Sequence, residues 1–181
     1  MHIFFLSLFS FLDTFLNRQE ISYPMDIEQL LKIAIKSEIN AAEIYKKMAD
    51  KTKIVFLKDK LNFLANEESS HRNLLEKLFE TKFSHEPQKL DGDMETPLPE
   101  LTITDDMLIS DMLTQAMEAE KKASDFYKNL KQNFEEEKEK SMARYLSHME
   151  KSHYYLLKSE LELFHNFELY DEVHMMMHVG P

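Results

Sequence analysis

Residues 61–75 read LNFLANEESSHRNLL, and residues 143–157 read ARYLSHMEKSHYYLL. Leu64, Glu68, Ser70, His71, Leu74 and Leu75 of the first coincide with Leu146, Glu150, Ser152, His153, Leu156 and Leu157 of the second, at an offset of 82 residues. The same offset aligns the stretches before them. Residues 34–48, AIKSEINAAEIYKKM, match residues 116–130, AMEAEKKASDFYKNL, at Ala34/Ala116, Glu38/Glu120, Ala41/Ala123, Tyr45/Tyr127 and Lys46/Lys128. The chain is thus two copies of one unit, and each unit pairs two segments of helical periodicity.

Apolar residues in these segments recur at alternating steps of three and four, which marks one face of a helix. Four helices are predicted, over about Ile27–Asp50, Ile54–Phe79, Asp106–Asn133, and from Glu136 through at least Leu163. Asp26 is a suitable N-cap for the first, with Gln29 completing a capping box. Thr104 or Asp105 stands near the cap of the third. The stretch from Thr81 to Thr104 carries Pro87, Gly92, Pro97 and Pro99 and reads as an irregular connection. More than twenty residues is long for a loop in a compact domain, yet it suits a crossover along a four-helix bundle. Two like hairpins pack face to face about a pseudo-twofold axis. The expected fold is all-α.

Composition agrees. The 181 residues contain only two Gly and five Pro and are rich in good helix formers. The net charge is −11, and no basic cluster stands in the linear sequence, so no nucleic-acid partner is expected. No Cys is present, which excludes disulfides, thiolate metal sites, iron–sulfur clusters and cysteine nucleophiles. Any metal must be held by carboxylates and imidazoles, a ligand set for Fe, Mn or Zn.

Residues 1–24 begin with the apolar run MHIFFLSLFSFLDTFL, which lacks the basic start and cleavage site of a secretory signal. Asp13 interrupts it short of the roughly 20 apolar residues a spanning helix needs. This extension is expected to lie outside the fold, with the bundle over 25–168 and a tail over 169–181. Membrane contact would arise only through that N-terminal run. A cytoplasmic location and a homodimer or larger homo-oligomer are expected.

Within the apolar stripes, one step on each helix is polar. Glu38 stands between Ala34 and Ala41, and Glu120 between Ala116 and Ala123. Glu68 with His71, and Glu150 with His153, fill the corresponding gaps on the second and fourth helices. Tyr45 and Tyr127 follow on the same faces as Glu38 and Glu120. Residues keeping this spacing point into the core. Four buried carboxylates repel one another, and an unpaired buried charge costs several kcal/mol. No Lys or Arg shares these stripes. Two divalent cations would cancel four carboxylates.

In Glu-x-x-His the two side chains sit one turn apart and can reach one metal. Bundles of the di-iron carboxylate class combine a Glu from each of two helices with a Glu-x-x-His from each of the others. Glu38, Glu68, His71, Glu120, Glu150 and His153 supply that set for two metal ions, iron first, with Mn or Zn as alternatives. Glu68 and Glu150 would bridge, Glu38 and Glu120 would be terminal ligands, and each His would bind one ion. Tyr45 and Tyr127 would orient carboxylates. A single Glu-x-x-His is weak, since about one arises by chance at this composition. A third match, Glu162 to His165, lacks a repeat partner and is read as incidental. His174 and His178 at i, i+4 are read as a helix end packing on a neighbour.

The motifs SEINAAEIY, NEESSH, AEKKASDFY and MEKSH resemble the rubrerythrin branch of the ferritin-like superfamily from Ile27 to about Phe164. The resemblance implies a ferritin-like four-helix bundle. It also implies a non-haem di-iron oxidoreductase reducing hydrogen peroxide or O2, with electrons from a rubredoxin or a reductase. The chain departs from the branch in lacking Cys, hence any rubredoxin domain of its own. It also has Ala123 where a typical rubrerythrin carries a further Glu tied to metal movement. Ferroxidase or iron-storage chemistry, or a structural di-metal site, are the alternatives.

Overall fold

The computed structural model describes residues 26–88, 98, 102–104 and 106–178, with side chains through residue 166. Four helices form the bundle: α1 (Ile27–Lys51), α2 (Val55–Phe83), α3 (Ile109–Leu130) and α4 (Glu137–His178). A 3-10 turn, Lys131–Asn133, joins α3 towards α4. The chain is all-α among the described residues, as the periodicity requires. None of these helices is long and apolar enough to cross a membrane.

Local chemistry sets the ends. The Asp26 carboxylate accepts from the backbone N–H of Gln29 at 2.8 Å, which caps an otherwise unpartnered donor of α1. The second helix runs one turn beyond its expected end at Phe79. It stops where Ser84 takes a left-handed conformation, φ 59°, with its N–H bonded to the Glu80 carbonyl. The third starts later than Asp106. A turn in which the Met107 N–H donates to the Thr104 carbonyl at 3.4 Å occupies that place, and Leu108 is the extended cap residue. The fourth continues through His178, so much of the segment read as a tail is helical, although the His174 and His178 side chains lie outside the described residues. Residues 1–24 lie outside them as well.

Helix α1 packs along α2 and α3 along α4, while the backbones of the two hairpins stand farther apart. Long side chains fill the seam between them, in two apolar clusters. One cluster joins Tyr45, Met48, Leu57, Leu61, Met112 and Leu157, with Ile103 of the crossover packed into it. The other joins Leu31, Leu75, Phe79, Tyr127, Leu130 and Leu146. The end of α1 thus meets the starts of α2 and α3, so α1 and α3 are antiparallel. The connection between α2 and α3 must therefore return along the bundle, roughly 40 Å for a helix the length of α2. Lys47 and Lys51 hold this connection by donating to the carbonyls of Ile103 and Thr104.

Candidate metal centre

Between the two apolar clusters lies a layer of six ionisable side chains, all nearly inaccessible. Glu38, Glu68, His71, Glu120, Glu150 and His153 are each 3% exposed or less. These are the six residues singled out from the stripes, and the fold brings all of them together. The third Glu-x-x-His does not join them, since Glu162 and His165 are exposed on α4.

The layer divides into two groups. Ligand-type atoms of Glu38, Glu68, His71 and Glu150 lie within 4.8 Å of one another, and so do those of Glu68, Glu120, Glu150 and His153. Around His71 Nδ1 stand Glu68 Oε2 at 3.1 Å, Glu150 Oε1 at 3.1 Å and Glu38 Oε2 at 3.7 Å. Around His153 Nδ1 stand Glu68 Oε1 at 3.0 Å, Glu150 Oε2 at 3.4 Å and Glu120 Oε2 at 3.7 Å. Glu68 and Glu150 therefore each turn one oxygen to either group. The two imidazoles stack with centroids 5.5 Å apart.

The tyrosines close the layer from its two ends. Tyr45 Oη donates to Glu120 Oε1, and Tyr127 Oη donates to Glu38 Oε1. Both bonds cross from one hairpin to the other. Each leaves the Oε2 of its glutamate turned towards a histidine. Both tyrosines are 0% exposed. Burial and the Glu120 charge push the Tyr45 hydroxyl up, and burial and the Glu38 charge do the same to Tyr127, so both stay protonated.

Without a cation the layer is electrostatically costly. Burial, then the Glu68 charge, pushes Glu38 up to about 8. Burial, then the Glu38 and Glu120 charges, pushes Glu150 up to about 8. Burial alone would lower His71, yet Glu150, Glu38 and Glu68 carry it up to about 12. His153 is raised likewise by Glu120, Glu150 and Glu68 against its burial.

The atoms at the centre fit metal ions. Glu68 Oε1, Glu150 Oε1 and His153 Nδ1 are buried and lack a hydrogen-bond partner, although neighbours crowd them at about 3 Å. Buried polar atoms are rarely left in this way. Lone pairs converging on shared points, from carboxylate oxygen and imidazole nitrogen, suit divalent first-row ions.

A feature that the linear sequence did not reveal lies on the outside of the α3–α4 hairpin. Lys121 and Lys128 on α3 and Lys131 in the 3-10 turn after it, with Arg144 and Lys151 on α4, line one groove of about 590 Å³. No run of basic residues announces it, because its cations come from two helices at helical spacing.

Comparison with known proteins agrees with this geometry. The rubrerythrin family's sequence profile matches residues 29–161. A solved structure, a hypothetical protein from Pyrococcus furiosus, is 41% identical, with a TM-score of 0.74. The match covers 82% of this chain and 96% of that one. No curated protein matches.

Proposed function

This chain belongs to the rubrerythrin family, whose members bind di-iron, and on that footing we propose that it is a di-iron oxidoreductase reducing hydrogen peroxide, or more slowly O2. One observation carries the reading: Glu68 and Glu150 each offer one oxygen to either of two histidine-centred groups. Two shared carboxylates would hold a pair of ions side by side, the arrangement that a two-electron reduction uses.

Glu68 and Glu150 would bridge, Glu38 with His71 would complete one ion's ligands, and Glu120 with His153 the other's. Iron bound there supplies one electron per ion, the two that peroxide takes up with two protons to become two waters. The residues hold the geometry for this. Tyr45 and Tyr127 keep a proton at Oη and fix the terminal carboxylates. The apolar clusters on both sides exclude water and strengthen every charge interaction between them. These 181 residues hold no Cys, so a rubredoxin or reductase centre outside them would return the electrons.

The test is anaerobic reduction of the iron-loaded protein, then stopped-flow mixing with peroxide or with O2. Stoichiometric oxidation, one peroxide per two ferrous ions and faster than with O2, is expected. Ferrous iron indifferent to peroxide, or accumulation of many irons per chain, would reject the reading in favour of structural or storage roles.

A further inference from the structure

We propose that the basic groove on the outer face of α3 and α4 is the docking surface for a small acidic one-electron carrier protein, the donor that the preceding reading requires. Four of its cations, Lys121, Lys128, Arg144 and Lys151, are exposed, and Lys131 is half-buried. None of the five forms a salt bridge within 4 Å among the described residues. Arg144 and Lys131 are felt at longer range by Glu137. Asp125 is the one acid lining the groove. Five cations facing one acid stand out on a chain of net charge −11.

The repeat supplies an internal control. At the positions 82 residues earlier, Lys121, Lys128, Lys131, Arg144 and Lys151 correspond to Ile39, Lys46, Ala49, Asn62 and Ser69. One cation stands there instead of five. The two hairpins share the buried layer, so metal binding does not account for the difference. At these five positions the concentration of cations belongs to the α3–α4 hairpin.

Shape favours a protein partner over a small anion. From Lys121 to Lys131 the cations extend roughly 15 Å along α3 and into the turn that follows it. They are spread along the surface and do not converge on a buried point. Charge patches of this kind steer association and set orientation.

Position favours an electron donor. Ser124 and Ser147 form the groove's floor, where Ser124 Oγ donates to the Ser147 carbonyl at 2.8 Å and Ser147 Oγ to the Ser124 carbonyl at 2.9 Å. Ser124 is one turn after Glu120, and Ser147 three residues before Glu150. A partner seated there lies about one helix diameter, roughly 10 Å, from the buried layer. Two donor molecules, each oxidised by one electron, would return both metal ions from the trivalent to the divalent state.

The experiment uses a recombinant acidic rubredoxin as the probe and measures its binding to the full chain by titration at low and high salt. The comparison is between Lys128→Glu/Arg144→Glu and a control, Lys46→Glu/Lys60→Glu, with exposed lysines of the other hairpin. The groove variant is expected to weaken binding about tenfold or more, the control to change it little, and salt to weaken the wild type. Equal binding by all three proteins, or equal loss in both variants, would overturn the proposal. So would tighter groove-dependent binding of a single-stranded oligonucleotide, or of a second copy of this chain seen as a doubled mass. Peroxide oxidation of chemically reduced protein is measured in parallel and needs no donor. Its failure with binding intact rejects the proposed reaction, and its success with groove-independent binding rejects the docking surface alone.

Discussion

The Tyr45 hydroxyl on α1 donates its hydrogen bond to the Glu120 carboxylate on α3, and the repeat returns the relation from Tyr127 to Glu38. Each hairpin therefore supplies a buried carboxylate and the hydroxyl that steadies its partner's. Tyr45→Phe leaves Glu120 Oε1 without its donor and is expected to cost about 1–3 kcal/mol. Denaturant unfolding of the metal-free protein measures this. Metal content, by elemental analysis, should remain near wild type while the rate of peroxide oxidation changes. A variant that lost both ions would show that the tyrosine holds the site together and does not merely orient it.

The glutamates should divide into two classes. Glu68→Ala or Glu150→Ala removes an oxygen from both groups and is expected to abolish binding of both ions. Glu38→Ala or Glu120→Ala removes an oxygen from one group only and should lose one ion preferentially. Metal stoichiometry after equilibrium dialysis separates these outcomes. Full occupancy in Glu68→Ala would contradict the bridging arrangement.

Metal-free protein should weaken as pH rises. Glu38 and Glu150 lie near 8 when folded against 4.5 when free, so the folded state holds more protons across that interval. Their contribution is fully present below about pH 4.5 and is lost through pH 8. His71, raised from 6.5 to about 12, acts in the same direction above pH 6.5. The apo Tm is expected to be lower at pH 8.5 than at pH 5.5 by about 5 °C or more. Metal should reverse the trend, because protons compete with it for the same atoms. Scanning calorimetry of both forms tests the sign.

Leu64 is fully buried one turn before Glu68. Leu64→Ala leaves a cavity beside the charged layer and is expected to destabilise the protein by about 2–5 kcal/mol. The Asp26 cap is far from the layer, and Asp26→Ala should cost about 1 kcal/mol with metal content unchanged. Equal costs for the two would mean that the layer's apolar walls contribute little.

Helical periodicity is a local property, and it was enough to place all six ionisable residues on inward faces; the repeat set Glu68–His71 and Glu150–His153 apart from the exposed Glu162–His165. The 82-residue offset added the two hairpins, and the length of the connection after α2 the crossover. Other features depend on which helix faces which. Tyr45 lies seven residues after Glu38, about 10 Å along the axis. It is too far to steady its own helix's glutamate, and only the antiparallel placement of α1 and α3 sets it beside Glu120. The direction of each oxygen of Glu68 and Glu150, and the gathering of cations from α3 and α4 into one groove, likewise follow from packing between helices. The late start of α3 was decided by the Thr104–Met107 turn, which replaces a first helical turn while the crossover's Ile103 is buried in the core. Spacing along a chain fixes the face on which a side chain lies, whereas its partner across the seam is set by the long-range packing that brings the helices together.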